Sequence, residues 1–163
     1  MKRLLLPISL IYSFVLFLRH KLYDWKILKS KSYDVPNICV GNLNLGGTGK
    51  TPHIEYLIRL LSDDYKVAVL SRGYGRKTKG FLIADDSHSH NDVGDEPLQY
   101  FNKFKNIEVA VDENRCDGMK RLLQENKPPQ VVLLDDAYQH RKIKPGLNVL
   151  LTDYYYLYSD NHL

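Results

Sequence analysis

The sequence is poor in the residues that build disulfide frameworks and metal clusters. It has 2 cysteines in 163 residues, Cys39 and Cys116, and neither lies in a CxxC pair or in a Cys/His pattern with metal-ligand spacing. We therefore expect two reduced, buried thiols in a reducing compartment. Internal repeats are also absent, and a composition that is 44% hydrophobic and 26% charged is ordinary for one globular domain. Disordered chains and disulfide-rich miniproteins are excluded.

The body of the chain has no excess of positive charge. Residues 1–31 carry 7 basic groups and 1 acidic group, a net charge of +6, whereas the rest of the chain carries 16 basic and 18 acidic groups, a net charge of −2. A domain that binds nucleic acid usually presents a basic face. We therefore expect no nucleic-acid partner, and the positive charge of the first 31 residues needs another explanation.

No apolar run is long enough to cross a bilayer as a straight helix. The longest, LLLPISLIYSFVLFL at residues 4–18, would rise about 22 Å against a hydrocarbon core of about 30 Å. A cleaved signal peptide is disfavoured because Arg-His-Lys follows the run instead of small residues. Basic flanks and aromatic residues favour a helix that dips into an anionic leaflet. We interpret residues 1–31 as a membrane-associating arm, with spanning and monotopic insertion left open and a buried helix as the alternative.

The rest of the chain alternates short apolar strands with amphipathic helices. Strands are predicted at residues 37–40, 66–70, 107–111, 131–134 and 148–152, and helices at residues 51–61 and 115–125. Strands that are apolar on both faces and alternate with helices indicate an α/β fold, in which helices cover both sides of a mainly parallel sheet. This core spans residues 35–153. Residues 85–92, DDSHSHND, are predicted to form a polar loop in which His88 and His90 are solvated rather than bound to metal.

A glycine-rich segment lies between the first predicted strand and the first predicted helix, which is the context that a P-loop requires. Backbone N–H groups of such a loop converge on phosphate oxygens, and the following helix adds its positive end. Lys50 would reach the β- and γ-phosphates and the Thr51 hydroxyl would bind Mg²⁺, so we expect ATP and Mg²⁺ as cofactors. The predicted nucleotide-binding residues of this loop are Asn44, Leu45, Gly46, Gly47, Thr48, Gly49, Lys50 and Thr51.

A pair of acidic residues follows the predicted strand VVLL at residues 131–134. Asp135 and Asp136 come directly after it, and an apolar strand that ends in a carboxylate is the Walker B arrangement, which holds Mg²⁺ directly or through water. A surface turn of two acids is the alternative interpretation. The P-loop in the same chain favours the metal site.

Two other classes of P-loop protein fit the sequence less well. A GTPase needs a guanine-reading NKxD segment, and the nearest match, NKPP at residues 126–129, lacks the aspartate. Partitioning and septum-site ATPases carry a diagnostic lysine two places before the glycine at position 47, where this chain has Leu45.

A kinase needs an acceptor for the substrate's proton and cations for the transferring phosphoryl group, and two segments supply candidates. Arg72 follows the second predicted strand, at the end where ligands bind in open α/β sheets, and would contact phosphate. Asp95 and Glu96 precede a probable helix, so Asp95 could accept a proton and Glu96 could join the metal ligands. Acids that only cap a helix, and a solvent-exposed glycine turn, are the alternatives.

Four segments in this order, GNLNLGGTGKTP, LSRGYGR, DVGDEP and LLDDAYQHR, resemble the tetraacyldisaccharide 4′-kinase family, the lipid A 4′-kinases. The resemblance covers residues 4–153 and implies a P-loop NTPase-like fold preceded by a membrane-associated helix. It implies ATP-dependent phosphorylation of the 4′-hydroxyl of a tetraacylated glucosamine disaccharide 1-phosphate, the lipid A precursor, at the cytoplasmic face of the bacterial inner membrane.

The resemblance also implies roles for individual residues. Asp95 corresponds to the catalytic base. Lys50 and Thr51 correspond to the phosphate and Mg²⁺ contacts, and Asp135 with Asp136 to the Walker B acids. Gln139 and His140 match the end of the family's DDxYQH pattern, and we expect them to support the acids.

Members of this family are about twice as long as this chain, and their second half supplies a histidine that partners the catalytic aspartate. None of the 6 histidines here occupies that place, and we interpret residues 154–163 as the start of the missing half. We therefore expect slow or no transfer by these residues alone. The alternative function is a non-catalytic, membrane-tethered ATP-binding switch. The sequence leaves the oligomeric state open.

Overall fold

The computed structural model describes residues 6–42 and 49–152, in which helices pack on a six-stranded sheet. The five strands and two helices predicted for the core are present, and their ends differ from the predictions by at most three residues. The elements in chain order are α1 (Leu6–Asp24), β1 (Asn37–Asn42), α2 (Lys50–Leu61), β2 (Val67–Ser71), β3 (Leu82–Ile83), α3 (His90–Val93), α4 (Asp95–Lys103), β4 (Glu108–Val111), α5 (Arg115–Leu122), β5 (Val131–Asp135) and β6 (Leu147–Leu151).

The strands of the sheet lie in the order β3-β4-β2-β5-β1-β6, and every neighbouring pair is parallel except β3 and β4. The prediction of an α/β fold with a mainly parallel sheet is therefore confirmed. Strand β3 was not predicted because two residues are too few to show a periodicity. Since β1, β2 and β5 are adjacent and parallel, the segments that follow them meet at one edge of the sheet.

Two hydrophobic clusters lie on the two faces of the sheet. On one face, Ile54 and Ile58 of α2 pack with Tyr100 of α4, and all three are fully buried. On the other face, Met119 and Leu122 of α5 pack against β2 and β5. Strands β2 and β5 are buried along their whole length, which explains their continuous apolar sequences.

Both cysteines are free thiols in the structure. Cys39 on β1 is buried, as predicted, and burial raises its pKa to about 11, so it stays protonated at neutral pH. Cys116 on α5 is partly exposed, so the prediction of two buried thiols was correct for Cys39 alone.

Part of the predicted polar loop at residues 85–92 is helical. Helix α3 begins after Ser89, whose backbone N–H and hydroxyl both donate to the Asp92 carboxylate, at 2.9 and 2.6 Å. This capping box stabilises a single turn of helix, which is too short to produce an apolar periodicity in the sequence. His88 lies 3.0 Å from the Asp85 carboxylate, so this histidine has a local partner within the turn.

Helix α1 is docked on the core through its last turns. The Arg141 guanidinium donates to the His20 carbonyl at 3.1 Å and to the Asp24 carboxylate at 2.8 Å, and it lies 5.2 Å from the centre of the buried Tyr23 ring. Beyond the helix, Lys31 pairs with Ile143 in a parallel bridge. The arm is therefore in contact with the segment that follows β5.

The outer surface of the arm is rich in exposed apolar side chains. Phe14, Phe17 and Trp25 are 64%, 57% and 64% exposed, respectively. Among the residues that the structure describes, no helix is both long enough and apolar enough to span a membrane.

Candidate active site

A cleft of about 440 Å³ lies at the carboxyl ends of the central strands and contains five of the predicted site residues. Ligands bind at this edge in open α/β sheets because the loops after neighbouring strands diverge there. The residues that line the cleft are Lys50, Ser71, Arg72, Tyr74, Asp95, Glu96, Pro97 and Asp136.

Helix α2 begins at the end of the predicted phosphate-binding loop. Gly49 precedes the helix with a φ of +80°, a left-handed conformation that glycine adopts readily, and Lys50 and Thr51 form the first turn. A helix start carries backbone N–H groups without intrahelical partners and the positive end of the helix dipole, which together suit an anion. The other predicted loop residues, Asn44, Leu45, Gly46, Gly47 and Thr48, lie outside the described residues.

The Lys50 ammonium is held between two polar side chains. It donates to the Asn42 side-chain carbonyl at 3.0 Å and lies 3.4 Å from the Asp136 carboxylate, and its side chain is only 17% exposed. Asn42 ends β1 and was not predicted as a site residue. Its position in the sequence could have indicated a site residue, because the last residue of a central parallel strand lies at the edge of the sheet where ligands bind. Lys50 is thus oriented into the cleft before any ligand arrives.

Thr51 and Glu96 connect the starts of helices α2 and α4. The Thr51 hydroxyl donates to Glu96 Oε1 at 2.9 Å, although the two residues are 45 positions apart in sequence. Helix α4 begins at Asp95, so both predicted acids lie in its first turn, and Asp95 is exposed to the cleft. The acids therefore stabilise the helix start, as in the alternative interpretation, and also face the phosphate-loop helix.

Asp135 is a buried acid at the end of β5. It is 1% exposed, and among the described residues neither carboxyl oxygen has a donor at full hydrogen-bond geometry, although the Ser71 hydroxyl and the Arg115 charge are close enough to act on its pKa. Burial is the main cause that raises its pKa to about 7, and the negative charges of Glu96 and Asp136 add to the effect. Unpartnered buried acids are rare in proteins because desolvation is costly. The position is consistent with a residue that binds a cation.

Asp136 adopts an uncommon backbone conformation at the end of β5. Its φ is +50°, in the left-handed region that aspartate tolerates better than most residues, and its N–H donates to the Val40 carbonyl at 3.0 Å. This turn directs the carboxylate to Lys50, while Asp135 stays beneath the cleft. Two acids adjacent in sequence therefore occupy different environments, and the sequence alone did not distinguish them.

The donors present fit a magnesium ion that is bound together with phosphate. Among the residues that the structure describes, no three His, Cys, Asp or Glu side chains are grouped closely enough to hold a metal by themselves. Magnesium is usually bound through one or two carboxylates together with substrate phosphates and water, so a full protein cage is not required. The Thr51 hydroxyl, Glu96 and the buried Asp135 provide hard oxygen donors of the required kind.

Arg115 is hydrogen-bonded to the backbone that carries the two acids, and it was not predicted from the sequence. Its side chain is buried, and it donates to the Asp112 carbonyl at 3.0 Å and to the Asp135 carbonyl at 3.3 Å. Burial lowers its pKa to about 10, which still leaves it charged at neutral pH. Arg115 is the first residue of helix α5. A basic residue is unfavourable there because of the helix dipole, and this was the sequence signal that it has a role outside the helix.

Gln139 and His140, which were expected to support the acids, lie at the end of β1 and beside a second cavity, respectively. The Gln139 amide donates to the Asn42 carbonyl at 3.0 Å and so braces the end of β1. His140 is partly buried, and burial with the nearby Arg115 and Arg72 charges lowers its pKa. It lines a second cavity of about 350 Å³ beside α1, whose lining is Arg19, Glu113, Asn114, Arg115, Cys116, His140, Lys142 and Ile143.

The chain is similar to a group of bacterial kinases. The Bacteroides thetaiotaomicron tetraacyldisaccharide 4′-kinase is 56% identical over 160 residues, which cover 98% of this chain and 42% of that relative. The Flavobacterium johnsoniae tetraacyldisaccharide 4′-kinase is 53% identical over 163 residues, which cover 100% of this chain and 48% of that relative. The chain thus spans less than half the length of these curated relatives.

A solved structure gives the same result for the fold. A crystal structure of LpxK from Aquifex aeolicus, described as an "apo" form in complex with ATP, superposes with a TM-score of 0.80 at 42% identity. The match covers 92% of this chain and 49% of that one. The family model for tetraacyldisaccharide-1-P 4′-kinase matches residues 1–163. The chain therefore belongs to the tetraacyldisaccharide-1-P 4′-kinase family.

Proposed function

We propose that this chain provides the nucleotide site and the catalytic base of an ATP-dependent kinase of lipid A biosynthesis. The reaction transfers the γ-phosphate of ATP to the 4′-hydroxyl of a tetraacylated glucosamine disaccharide 1-phosphate. The observation that carries the proposal is one cleft in which the start of α2, the start of α4 and the end of β5 converge. Family membership favours this function over a non-catalytic ATP-binding switch.

The phosphates of ATP would bind at the start of α2. Residues 44–49 would supply backbone N–H groups, and Lys50 would exchange its contacts with Asn42 and Asp136 for the β- and γ-phosphates. Arg72 would meet the transferring phosphoryl group from the opposite side, since it lines the same cleft after β2. Two cations would then neutralise charge as the phosphoryl group moves, which is the main catalytic requirement of this reaction.

Thr51, Glu96, Asp135 and Asp136 would hold Mg²⁺. When bound, the ion would supply positive charge that neutralises the phosphate oxygens. The proposal is supported by the burial of the Asp135 carboxyl, whose oxygens have no donor at full hydrogen-bond geometry within residues 6–42 and 49–152. Asp136, which is 47% exposed at its side chain and already paired with Lys50, would bind through water.

Asp95 would accept the proton of the 4′-hydroxyl as that oxygen attacks the γ-phosphorus. It is exposed to the cleft, one residue before the predicted metal ligand Glu96, so the acceptor would lie beside the metal-bound phosphate. An aspartate that takes the proton of an acceptor hydroxyl is the arrangement found in protein kinases.

The arm would bring the cleft to a lipid surface. The exposed Phe14, Phe17 and Trp25 suit insertion below the headgroups, and the net charge of +6 over residues 1–31 suits an anionic leaflet. We propose the cytoplasmic face of the bacterial inner membrane, where ATP is available. The basic cavity beside α1, with Arg19 and Lys142 in its lining, would receive the substrate's 1-phosphate.

The test is Asp95→Asn, which removes the base and keeps the shape of the side chain. Nucleotide binding is measured on the chain itself. Transfer is measured on a chimera in which the part of the Bacteroides thetaiotaomicron relative beyond its match follows residue 163. We expect the rate of transfer to fall about 100-fold or more while Mg-ATP affinity stays within about twofold.

The matched control for this test is Asp86→Asn, an exposed aspartate in the loop before α3, which should leave both quantities unchanged. Unaltered transfer by Asp95→Asn would contradict the assignment of the base. A chimera that binds Mg-ATP and transfers nothing to the lipid would contradict the proposed reaction.

A further inference from the structure

We propose that Arg76 and Glu113 are positioning residues, which lock the loop that carries Arg72 to the start of helix α4, which carries Asp95. The inference rests on the proposed function, in which Arg72 and Asp95 act on the same phosphoryl transfer. We refer to residues 72–80 as the arginine loop. Neither Arg76 nor Glu113 lines the candidate active site.

Arg76 is the centre of the arginine loop. Its side chain is 4% exposed, and its guanidinium donates to the Gly80 carbonyl at 2.7 Å, to the Thr78 hydroxyl at 3.3 Å and to the Glu113 carboxylate. Glu113 follows β4, and both of its carboxylate oxygens accept from the Gly80 N–H, at 3.0 and 3.1 Å. The ion pair therefore joins the middle of the loop to its last residue and binds both to Glu113, directly after β4.

The closed loop is bonded in turn to the segment that leads into α4. The Lys77 N–H donates to the Asn91 carbonyl at 2.7 Å, and the Thr78 hydroxyl donates to the Asp92 carbonyl at 2.5 Å. Thr78 thus accepts from Arg76 and donates to the α3 backbone, so the ion pair and the α3 segment belong to one hydrogen-bonded chain.

Two glycines allow the backbone of the arginine loop to contact the backbone that leads into α4, one residue before Asp95. A Cβ on Gly94 would lie 2.9 Å from the Tyr74 carbonyl, and a Cβ on Gly73 would lie 2.8 Å from the Val93 carbonyl. Both glycines have positive φ, +93° and +70°, so no other residue would fit without strain. The Gly73 site is also covered by Arg76, whose Cδ would be 2.5 Å from such a Cβ.

These contacts make the arginine loop and the start of α4 one unit. Arg72 follows β2 and Asp95 begins α4, so the two side chains reach the cleft from different elements. Phosphoryl transfer depends on positions within fractions of an ångström, and a displacement of about 1 Å can reduce a rate about 100-fold. An ordinary surface ion pair does not hold such a relation, because both partners remain solvated. Arg76 differs from that case because its charge is buried and has three acceptors.

The test compares Glu113→Gln with Asp117→Asn. Asp117 forms an exposed ion pair with Arg121, at side-chain exposures of 42% and 56%, and therefore provides a matched loss of one carboxylate charge. Hydrogen exchange is measured on the chain itself. We expect the amides of Lys77 and Gly80, and those of residues 94–96 and 98, to exchange about tenfold faster in Glu113→Gln and to be unchanged in Asp117→Asn.

Transfer is measured on the chimera described above. We expect kcat of Glu113→Gln to fall about tenfold while the Kd for Mg-ATP stays within about twofold, because the start of α2 is untouched. Glu113 also lines the basic cavity, so Arg76→Lys, which does not, is the second variant. Lysine keeps the charge but cannot donate to Gly80 and Glu113 in the same geometry, and the same loss of kcat is expected.

Three results would overturn the proposal. The first is that exchange in Glu113→Gln is no faster than in wild type, and the second is that exchange is faster but kcat is unchanged. The third is a loss of Mg-ATP affinity that parallels the loss of kcat, which would indicate a general structural role. A wild-type chimera without transfer activity would contradict the proposed function instead. The exchange comparison then decides by itself whether the ion pair holds the start of α4.

Discussion

The cleft and helix α1 present opposite kinds of groups to a ligand. At the cleft, Asp135 is a buried carboxyl close to Glu96, and no donor among the described residues binds it at full hydrogen-bond geometry. On the arm, the exposed groups are aromatic rings such as Phe17, which is 57% exposed. Buried unpartnered charge indicates an ionic ligand, whereas clustered exposed apolar side chains indicate an apolar phase or partner. This difference is why we propose Mg-ATP as the ligand of the first region and a lipid surface as the partner of the second.

The largest expected effect tests the buried charge itself. With nucleotide and metal absent, the pKa of Asp135 is about 7 in the folded chain and 3.8 is its ordinary value. Between about pH 4 and 7 the folded state keeps a proton that the unfolded state releases, so the free energy of unfolding falls as pH rises through this window. The Asp135→Asn side chain cannot ionise, so the variant should not lose this stability. The free energy of unfolding of the variant minus that of wild type should therefore rise by about 3 kcal/mol between pH 5 and pH 8.

Urea unfolding at the two pH values measures this effect, and Asp86→Asn is the control because its carboxyl is exposed. An equal stability difference between Asp135→Asn and wild type at both pH values would show that Asp135 ionises normally. That result would contradict the view that the cleft, unlike the arm, contains a carboxyl whose pKa is raised by burial.

The next effect concerns the cation in the cleft. Lys50→Ala removes the side chain held by Asn42 and Asp136, and Mg-ATP affinity should weaken about 30-fold, equivalent to about 2 kcal/mol for hydrogen bonds to charged phosphate. Calorimetric titration of the chain measures it, with Lys120→Ala on exposed α5 surface as the control. Binding to lipid vesicles should not change, since the variant alters only the cleft. Equal Mg-ATP affinities for Lys50→Ala and wild type would be inconsistent with a phosphate contact.

The smallest effect concerns the arm. The double variant Phe17→Ser and Trp25→Ser removes two exposed rings, and binding to vesicles that contain anionic lipid should weaken about tenfold. Mg-ATP affinity should stay the same. Vesicle co-sedimentation measures the change, and Tyr65→Ser is the control because Tyr65 is 48% exposed but lies between α2 and β2. If the double variant and the control bind vesicles equally well, the arm has another role.

The sequence predicted the cleft better than it predicted the network beneath it. Lys50, Thr51, Asp95 and Glu96 were found because each lies at an element start or in a motif with known spacing. Lys50, Asp95 and Glu96 line one cleft, and Thr51 is hydrogen-bonded to Glu96 across 45 positions. The parallel sheet was also predictable, since strands buried on both faces have continuous apolar sequences.

Asn42, Arg115 and the ion pair of Arg76 with Glu113 were not predicted. Their importance comes from tertiary contacts between residues far apart in sequence, such as the 37 positions that separate Arg76 from Glu113. Helix α3 and strand β3 were missed for a different reason, because elements of four and two residues show no periodicity. Long-range polar contacts and very short elements are therefore the features that needed the structure.

The most direct measurement is a calorimetric titration of the purified chain with ATP in the presence of Mg²⁺. The account predicts one saturable site per chain, with a Kd below about 1 mM, that is lost when EDTA removes the metal. Heat that stays indistinguishable from dilution up to several millimolar Mg-ATP would contradict it, since the start of α2 and the acids of β5 would then hold no nucleotide.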